Sequence, residues 1–75
     1  MHAPLRLSGR QHEVARGVAE GLTDSEIAER LGISPRTVRM HCDTLRARLG
    51  VSRRRQIPYA YKLAVGEDPF SEAGN

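Results

Sequence analysis

The sequence predicts an all-α fold in which four helices form one domain. Residues that favour helix starts are followed, at helical lengths, by glycines that favour helix ends. Between these signals, apolar residues recur three and four positions apart, which is the spacing of one helix face. A chain of 75 residues has room for one domain and no more.

The first helix is predicted over residues 9–20. Ser8 and Gln11 have the spacing of a capping box, in which each side chain accepts a hydrogen bond from the backbone N–H of the other residue. Gly21 is the expected stop. Gly17, inside the helix, is expected to cost about 1 kcal/mol relative to alanine if it faces solvent.

The second helix is predicted over Asp24–Leu31, after a capping box formed by Thr23 and Glu26 and before a stop at Gly32. It has barely two turns, and a helix this short is unstable unless it packs on neighbours. We therefore expect its apolar face to be covered by the rest of the domain.

The third helix is predicted over Pro35–Leu49. Ser34 is its expected cap, Pro35 occupies the first position, where no N–H is needed, and Gly50 is the expected left-handed stop. The turn between the second and third helices, residues 32–34, has about three residues and contains a glycine, as the turn of a helix-turn-helix does.

On a helical wheel, this third helix has two distinct faces. The predicted buried seam is Val38, Cys42, Leu45 and Leu49. The opposite side and its shoulders carry Arg36, Arg39, Met40, Asp43, Arg46 and Ala47. A recognition helix contacts base edges with its N-terminal part. There, arginine can bind guanine, aspartate can accept from cytosine, and methionine can contact a thymine methyl group. Arg39, Met40 and Asp43 are the predicted base contacts.

Positive charge is concentrated in the middle of the chain. Residues 34–66 contain seven arginines and one lysine against Asp43 alone, whereas residues 67–75 contain three acids and no base. Such a basic block suits nucleic acid or an acidic membrane, and a solvated face without a partner is the plain alternative. The short second helix and the glycine turn favour DNA.

A fourth helix could begin after Ser52 and end at Val65. Pro58 would break an interior hydrogen bond of such a helix, at a cost of about 3 kcal/mol. We therefore predict that the helix begins near residues 57–58 or is kinked there. Its apolar stripe, which suits core packing better than dimerisation, is Ile57, Ala60, Tyr61 and Ala64.

Neither enzymatic activity nor a cofactor is expected. So small a domain leaves little room for an enclosed pocket, and no phosphate loop, nucleophile constellation or carboxylate pair is present. His41 and Cys42 are adjacent soft ligands, but a metal site needs three or four, so no metal is expected. The single cysteine and the absence of a signal peptide or spanning apolar run predict a cytoplasmic protein without a membrane partner.

These motifs resemble the LuxR-type (GerE-like) helix-turn-helix domain, the output module of many bacterial transcription regulators. The matching segments include residues 7–14, 26–34, 37–41 and 45–51. The resemblance implies a winged-helix-like core of three helices plus a fourth, without a wing. It also implies sequence-specific binding of double-stranded DNA, with residues 35–49 in the major groove. The chain would then comprise an N-terminal arm (1–6), the domain (7–66) and a flexible acidic tail (67–75).

The resemblance further implies roles for individual residues. Arg39, Met40 and Asp43 match base-contacting positions. The implied phosphate contacts are Thr23, Ser25, Arg36, Thr37, Arg46, Arg48, Arg53, Arg54 and Arg55. Family members commonly form homodimers through the fourth helix, which would involve Ile57, Ala60, Tyr61 and Ala64. Pro58 stands where the family usually has valine or a similar residue, which weighs against the standard dimer.

RNA polymerase is a further partner that the resemblance suggests. Two other interpretations stay open: a sigma-factor region-four-like module, which lacks the link at residues 50–53, and a helix-turn-helix that binds a protein regulator instead of DNA. A receiver or ligand-binding domain usually precedes this module in the family, whereas only residues 1–6 stand before the motif in this sequence. Met1 just before it favours a free-standing regulator over a fragment of a larger one.

Overall fold

A computed structural model describes residues 6–66 of the chain. Apart from Arg6, the predicted arm and tail lie outside the described residues. The described part contains four α-helices and no strand: α1 (Gly9–Ala19), α2 (Asp24–Leu31), α3 (Pro35–Leu49) and α4 (Ile57–Val65). A 3₁₀ turn at Arg54–Gln56 precedes α4. The all-α, four-helix prediction is confirmed.

Both predicted capping boxes are formed. The Ser8 hydroxyl accepts from the Gln11 N–H at 3.1 Å, and Gln11 Oε1 accepts from the Ser8 N–H at 2.9 Å. The same reciprocal pair joins Thr23 and Glu26, with distances of 3.1 and 2.9 Å. At the start of each helix, the N–H groups of the cap residue and of the third helical residue are thereby satisfied without partners from elsewhere in the fold.

The core lies where α1, α3 and α4 meet, with α2 packed against α1 and α3. It is aliphatic apart from one tyrosine and one cysteine, and its buried residues are Val14, Ala15, Val18, Ile27, Ala28, Val38, Cys42, Leu45, Ile57 and Tyr61. No polar or charged residue among the described ones is buried. The core therefore rests on apolar burial and close packing.

Gly17 does not face solvent. It is buried on the side of α1 that meets α2, and a Cβ atom built there would lie 2.8 Å from Ile27 Cγ1. The condition attached to the expected cost, a solvent-facing glycine, is therefore not met, and any helix propensity that alanine would gain is opposed by the contact with Ile27. The missing side chain instead allows α1 and α2 to approach each other.

α4 begins late, as predicted from Pro58. Its first residue is Ile57, so Pro58 occupies the second position, where the backbone N–H needs no helical partner. Ile57 and Tyr61 are buried in the core of this chain, so these two members of the predicted dimer stripe are not free to contact a second copy. Ala60 is half-buried and Ala64 is exposed.

Within residues 6–66, no helix combines the length and apolar character that crossing a membrane requires.

Candidate nucleic-acid interface

The two faces of α3 are those that the helical wheel predicted. Val38, Cys42 and Leu45 are buried, and Leu49 packs against the core at its margin. Met40 is 61% exposed, and the other exposed residues of the outer face are Arg36, Arg39, Asp43 and Ala47. One side of α3 therefore holds the helix in the fold, while the other side presents hydrogen-bonding groups to an external partner.

The start of α3 is fixed by its cap. The Ser34 hydroxyl accepts from the Thr37 N–H at 3.1 Å and lies 2.9 Å from the Thr37 hydroxyl. These two hydroxyls share one hydrogen bond, so one hydroxyl hydrogen is left to donate outward. The turn into α3 is closed by Gly32 at φ 70°, a conformation that favours glycine.

Arg36 and Arg39 are exposed cations on the outer face of α3. Their guanidinium groups make no hydrogen bond or ion pair with any other described residue. Each therefore keeps five N–H donors for a partner, which suits the bidentate recognition of guanine or phosphate.

Asp43 is not a free carboxylate. It forms an ion pair with Arg46, three residues further along α3, and Arg46 Nη1 also donates to the Ser52 carbonyl at 3.1 Å. The predicted base contact Asp43 and the predicted phosphate contact Arg46 are therefore bonded to each other. The pair also joins the outer face of α3 to the loop that precedes α4.

The backbone of that loop, residues 50–56, is bonded to the exposed side chain of Gln56. Gln56 Oε1 accepts from the Ser52 N–H at 3.0 Å and from the Arg53 N–H at 2.8 Å. Gly50 turns the chain out of α3 at φ 72°. The loop thus has a defined backbone on which Arg53 and Arg55 stand exposed.

Arg54, between those two arginines, points into the molecule. It forms an ion pair with Asp24 at the start of α2, and its Nη2 donates to the Leu22 carbonyl at 3.0 Å. Its Nη1 also lies 3.7 Å from Cys42 Sγ. Arg54 was predicted as a phosphate contact, but its guanidinium group is already bonded inside the domain.

The remaining predicted phosphate contacts lie at the edges of this surface. Thr23 and Ser25 are exposed at the start of α2, where the positive end of the helix dipole favours an anion. Arg48, near the end of α3, donates to the Arg6 carbonyl at 2.7 Å. This contact fixes the last residue of the predicted arm against the recognition helix.

Cys42 lies in the buried seam of α3, next to Arg54. Burial raises the pKa of its thiol above the ordinary value, and the positive charge of Arg54 opposes that rise only in part. No three His, Cys, Asp or Glu residues between positions 6 and 66 lie close enough together to hold a metal ion.

Sequence reasoning missed two of these contacts. The Asp43–Arg46 pair has the i,i+3 spacing of helical ion pairs and could have been found from that signal. Arg54 and Asp24 are separated by 30 positions, and no local pattern connects them.

Comparison with known proteins places the chain in a family. The family model described as "GerE: Bacterial regulatory proteins, luxR family" matches residues 5–59. The transcriptional regulatory protein UhpA of Escherichia coli is 46% identical over 46 residues, which are 61% of this chain and 24% of UhpA. A Mycobacterium bovis protein assigned as an HTH-type transcriptional regulator is 43% identical over 51 residues, which are 68% of this chain and 6% of that protein.

The chain thus corresponds to a quarter or less of the length of these two relatives. No solved structure matches it significantly. The family is one of transcription regulators and not of enzymes. The helix order, the glycine turn before α3 and the exposed face of α3 agree with the match: the chain belongs to the luxR family of bacterial regulatory proteins and is a DNA-binding helix-turn-helix domain.

Proposed function

We propose that α3 enters the major groove of double-stranded DNA and reads its sequence through Arg39, Met40 and Asp43. The observation that carries this proposal is the outer face of α3, where Arg36 and Arg39 are exposed and unpaired while the opposite seam is buried. The side chains nearest the start of a recognition helix are those that reach base edges. Arginine suits guanine, and Met40 offers a methyl group to thymine.

The DNA backbone would be held on both sides of this helix. The starts of α2 and α3 supply Thr23, Ser25, Arg36 and Thr37. The end of α3 and the loop before α4 supply Arg48, Arg53 and Arg55. Such contacts set affinity and register, while base contacts set sequence preference. Arg46 and Arg54, which are bonded within the domain, contribute less directly.

Salt dependence of binding tests this proposal. The full chain is titrated into a fluorescent DNA duplex carrying a selected site and into a scrambled duplex, at several salt concentrations. We expect log K to fall linearly with log salt, with a slope of about −0.9 for each phosphate neutralised. Arg53→Ala should make the slope shallower by about 0.9, the contribution of one phosphate. Arg10→Ala removes the same charge from the first turn of α1 and should leave the slope unchanged. Binding without salt dependence would overturn the proposal.

Transcription regulation is the proposed role of this binding. The support is the family and the names of the relatives, which are transcriptional regulators. Regulation of that kind takes place at the bacterial chromosome, so a cytoplasmic location is part of the proposal. Mapping of the DNA fragments bound in cells, together with transcript levels of the adjacent genes, tests it.

We also propose that α4 pairs two copies of the chain, through a face that only partly overlaps the one that the sequence suggested. Tyr59 and Leu63 are 68% and 62% exposed and lie one helical turn apart on α4. Ala60 and Ala64 flank them and allow close approach. Large apolar side chains that are adjacent and exposed mark an interaction surface more often than isolated ones do.

Sedimentation of the full chain with a duplex containing two half-sites tests the pairing. We expect two chains on each duplex, and one chain with the Tyr59→Ser/Leu63→Ser double variant. A single chain on the duplex for the unaltered protein would overturn the pairing. In that case, retention of RNA polymerase is compared between the unaltered chain and the double variant. If only the unaltered chain retains polymerase, polymerase is the partner of this face.

A further inference from the structure

We propose that Arg54 is a positioning residue that fixes the distance between two groups of phosphate contacts and does not itself contact phosphate. The inference rests on the DNA-binding mode proposed above. The guanidinium group of Arg54 has three neighbours in other parts of the fold. Asp24 is the first residue of α2, the Leu22 carbonyl lies in the α1–α2 turn, and Cys42 lies in the buried seam of α3.

The Arg54–Asp24 contact is partly buried, chiefly on the side of its carboxylate. The side chains of Arg54 and Asp24 are 38% and 25% exposed, whereas those of the Arg46–Asp43 pair are 36% and 58% exposed. Leu22 adds a hydrogen bond at 3.0 Å to the second nitrogen of Arg54. A guanidinium group with two acceptors and a sulfur atom around it has a fixed direction, because moving it outward would leave the Leu22 carbonyl and the Asp24 carboxylate unpaired.

The neighbours of the anchored residues are the predicted phosphate contacts. Leu22 and Asp24 alternate with Thr23 and Ser25, which are exposed. In the loop before α4, the inward Arg54 stands between the outward Arg53 and Arg55. One internal ion pair therefore joins the two segments that would hold the DNA backbone on either side of α3.

Phosphates on a duplex have fixed spacing, so the spacing of the groups that hold them matters for binding. If Arg54 sets that spacing, loss of its bonds should weaken binding although the external charges remain. If Arg54 is itself a phosphate contact, Asp24 competes with DNA for it, and removing the carboxylate charge should strengthen binding. The two roles predict effects of opposite sign for the same substitution.

Asp24→Asn in the full chain is the test, with Glu29→Gln as the control. Both substitutions remove one negative charge from α2, but Glu29 is exposed and has no described partner. We expect Asp24→Asn to weaken binding to a specific duplex by about three- to tenfold, the range that one hydrogen bond carries. Glu29→Gln should leave affinity unchanged or slightly raised. Stronger binding by Asp24→Asn than by Glu29→Gln would overturn the positioning role.

Arg54→Lys and Arg54→Ala give a second readout that does not depend on affinity. If Arg54 only positions other groups, both variants should keep the slope of log K against log salt of the unaltered chain. If Arg54 contacts a phosphate, Arg54→Ala alone should reduce that slope by about 0.9. Alkylation of Cys42, measured by mass, reports whether the inward contact has opened. The rate of alkylation should be higher in Arg54→Ala than in the unaltered chain, and unchanged in Arg53→Ala. Equal rates in the two variants would contradict the inward position of Arg54. If the unaltered chain shows no salt-dependent DNA binding, the proposed function fails instead, and the Cys42 readout still tests the contact.

Discussion

Gly17 of α1 and Ile27 of α2 lie so close that a methyl group on Gly17 would be 2.8 Å from Ile27 Cγ1 and 3.1 Å from its Cδ1. Ile27 is 1% exposed, and a close-packed interior leaves a buried side chain little room to turn. The contact sets how near the first helix comes to the short second one. The position of α2 in turn sets the position of Thr23 and Ser25.

We expect Gly17→Ala to destabilise the domain. Alanine gains about 1 kcal/mol of helix propensity over glycine, but an extra methyl group in a closed contact costs about 1–3 kcal/mol. The free energy of unfolding in a urea titration should therefore fall by up to about 2 kcal/mol. Gly9→Ala is the control, since nothing lies within 4 Å of the added methyl group. In an Ile27→Ala background, which lacks the Cγ1 and Cδ1 atoms, Gly17→Ala should no longer destabilise; an equal loss of stability in both backgrounds would show that the clash is not the cause.

We expect Arg39→Ala to remove sequence preference at one base position. The guanidinium group is exposed and unpaired, so its loss should leave the fold intact and cost about 1–3 kcal/mol of specific binding. Selection of binding sites from random duplexes, carried out with both proteins, measures the preference. A loss of equal size on every sequence would show instead that Arg39 contacts phosphate.

Asp43→Ala should raise the affinity for nonspecific DNA and lower the discrimination between base sequences. The substitution removes a negative charge that repels phosphates, so affinity for a scrambled duplex should rise. It also removes the acceptor for a cytosine amine, so discrimination against the wrong base should fall by about 1–3 kcal/mol. Competition between the two duplexes measures both effects. Unchanged discrimination would mean that Asp43 serves to hold Arg46 and does not read a base.

The stability of the domain should fall at alkaline pH because of Cys42. Burial raises the pKa of this thiol in the folded state, so the folded protein keeps its proton where the unfolded chain loses it. The contribution is complete below the thiol pKa of the unfolded chain, about 8.5, and is lost as the pH rises through the folded pKa. Urea titrations of the unaltered chain and Cys42→Ala at pH 7.5 and pH 10 should show a larger decrease for the unaltered chain. Parallel decreases would contradict this account.

The helices could be predicted from sequence because their signals are local. The predicted bounds of α2 and α3 are those observed, and α1 ends one residue earlier than predicted. Capping residues, a proline at a helix start and glycine stops act within a few positions of where they stand. The outer face of α3 could be predicted from the sequence equally well, because it depends only on helical periodicity.

The contacts between helices could not be predicted in the same way. The burial of Gly17 depends on the distance between two helix axes, which no local pattern encodes. The inward direction of Arg54 depends on a 3₁₀ turn and on an acid far away in the sequence. Which of three consecutive arginines faces inward is decided by tertiary packing alone.

The pair formed by His12 and Tyr61 has a consequence for the order in which the protein forms. His12 Nδ1 and the Tyr61 hydroxyl lie 2.7 Å apart, although 49 positions separate the two residues. The helix-turn-helix leaves the ribosome before α4 does, but its support on α1 is incomplete until Tyr61 arrives. We therefore expect the ability to bind an operator to appear only after α4 has left the ribosome, so that nascent chains with an unfinished core do not occupy regulatory sites.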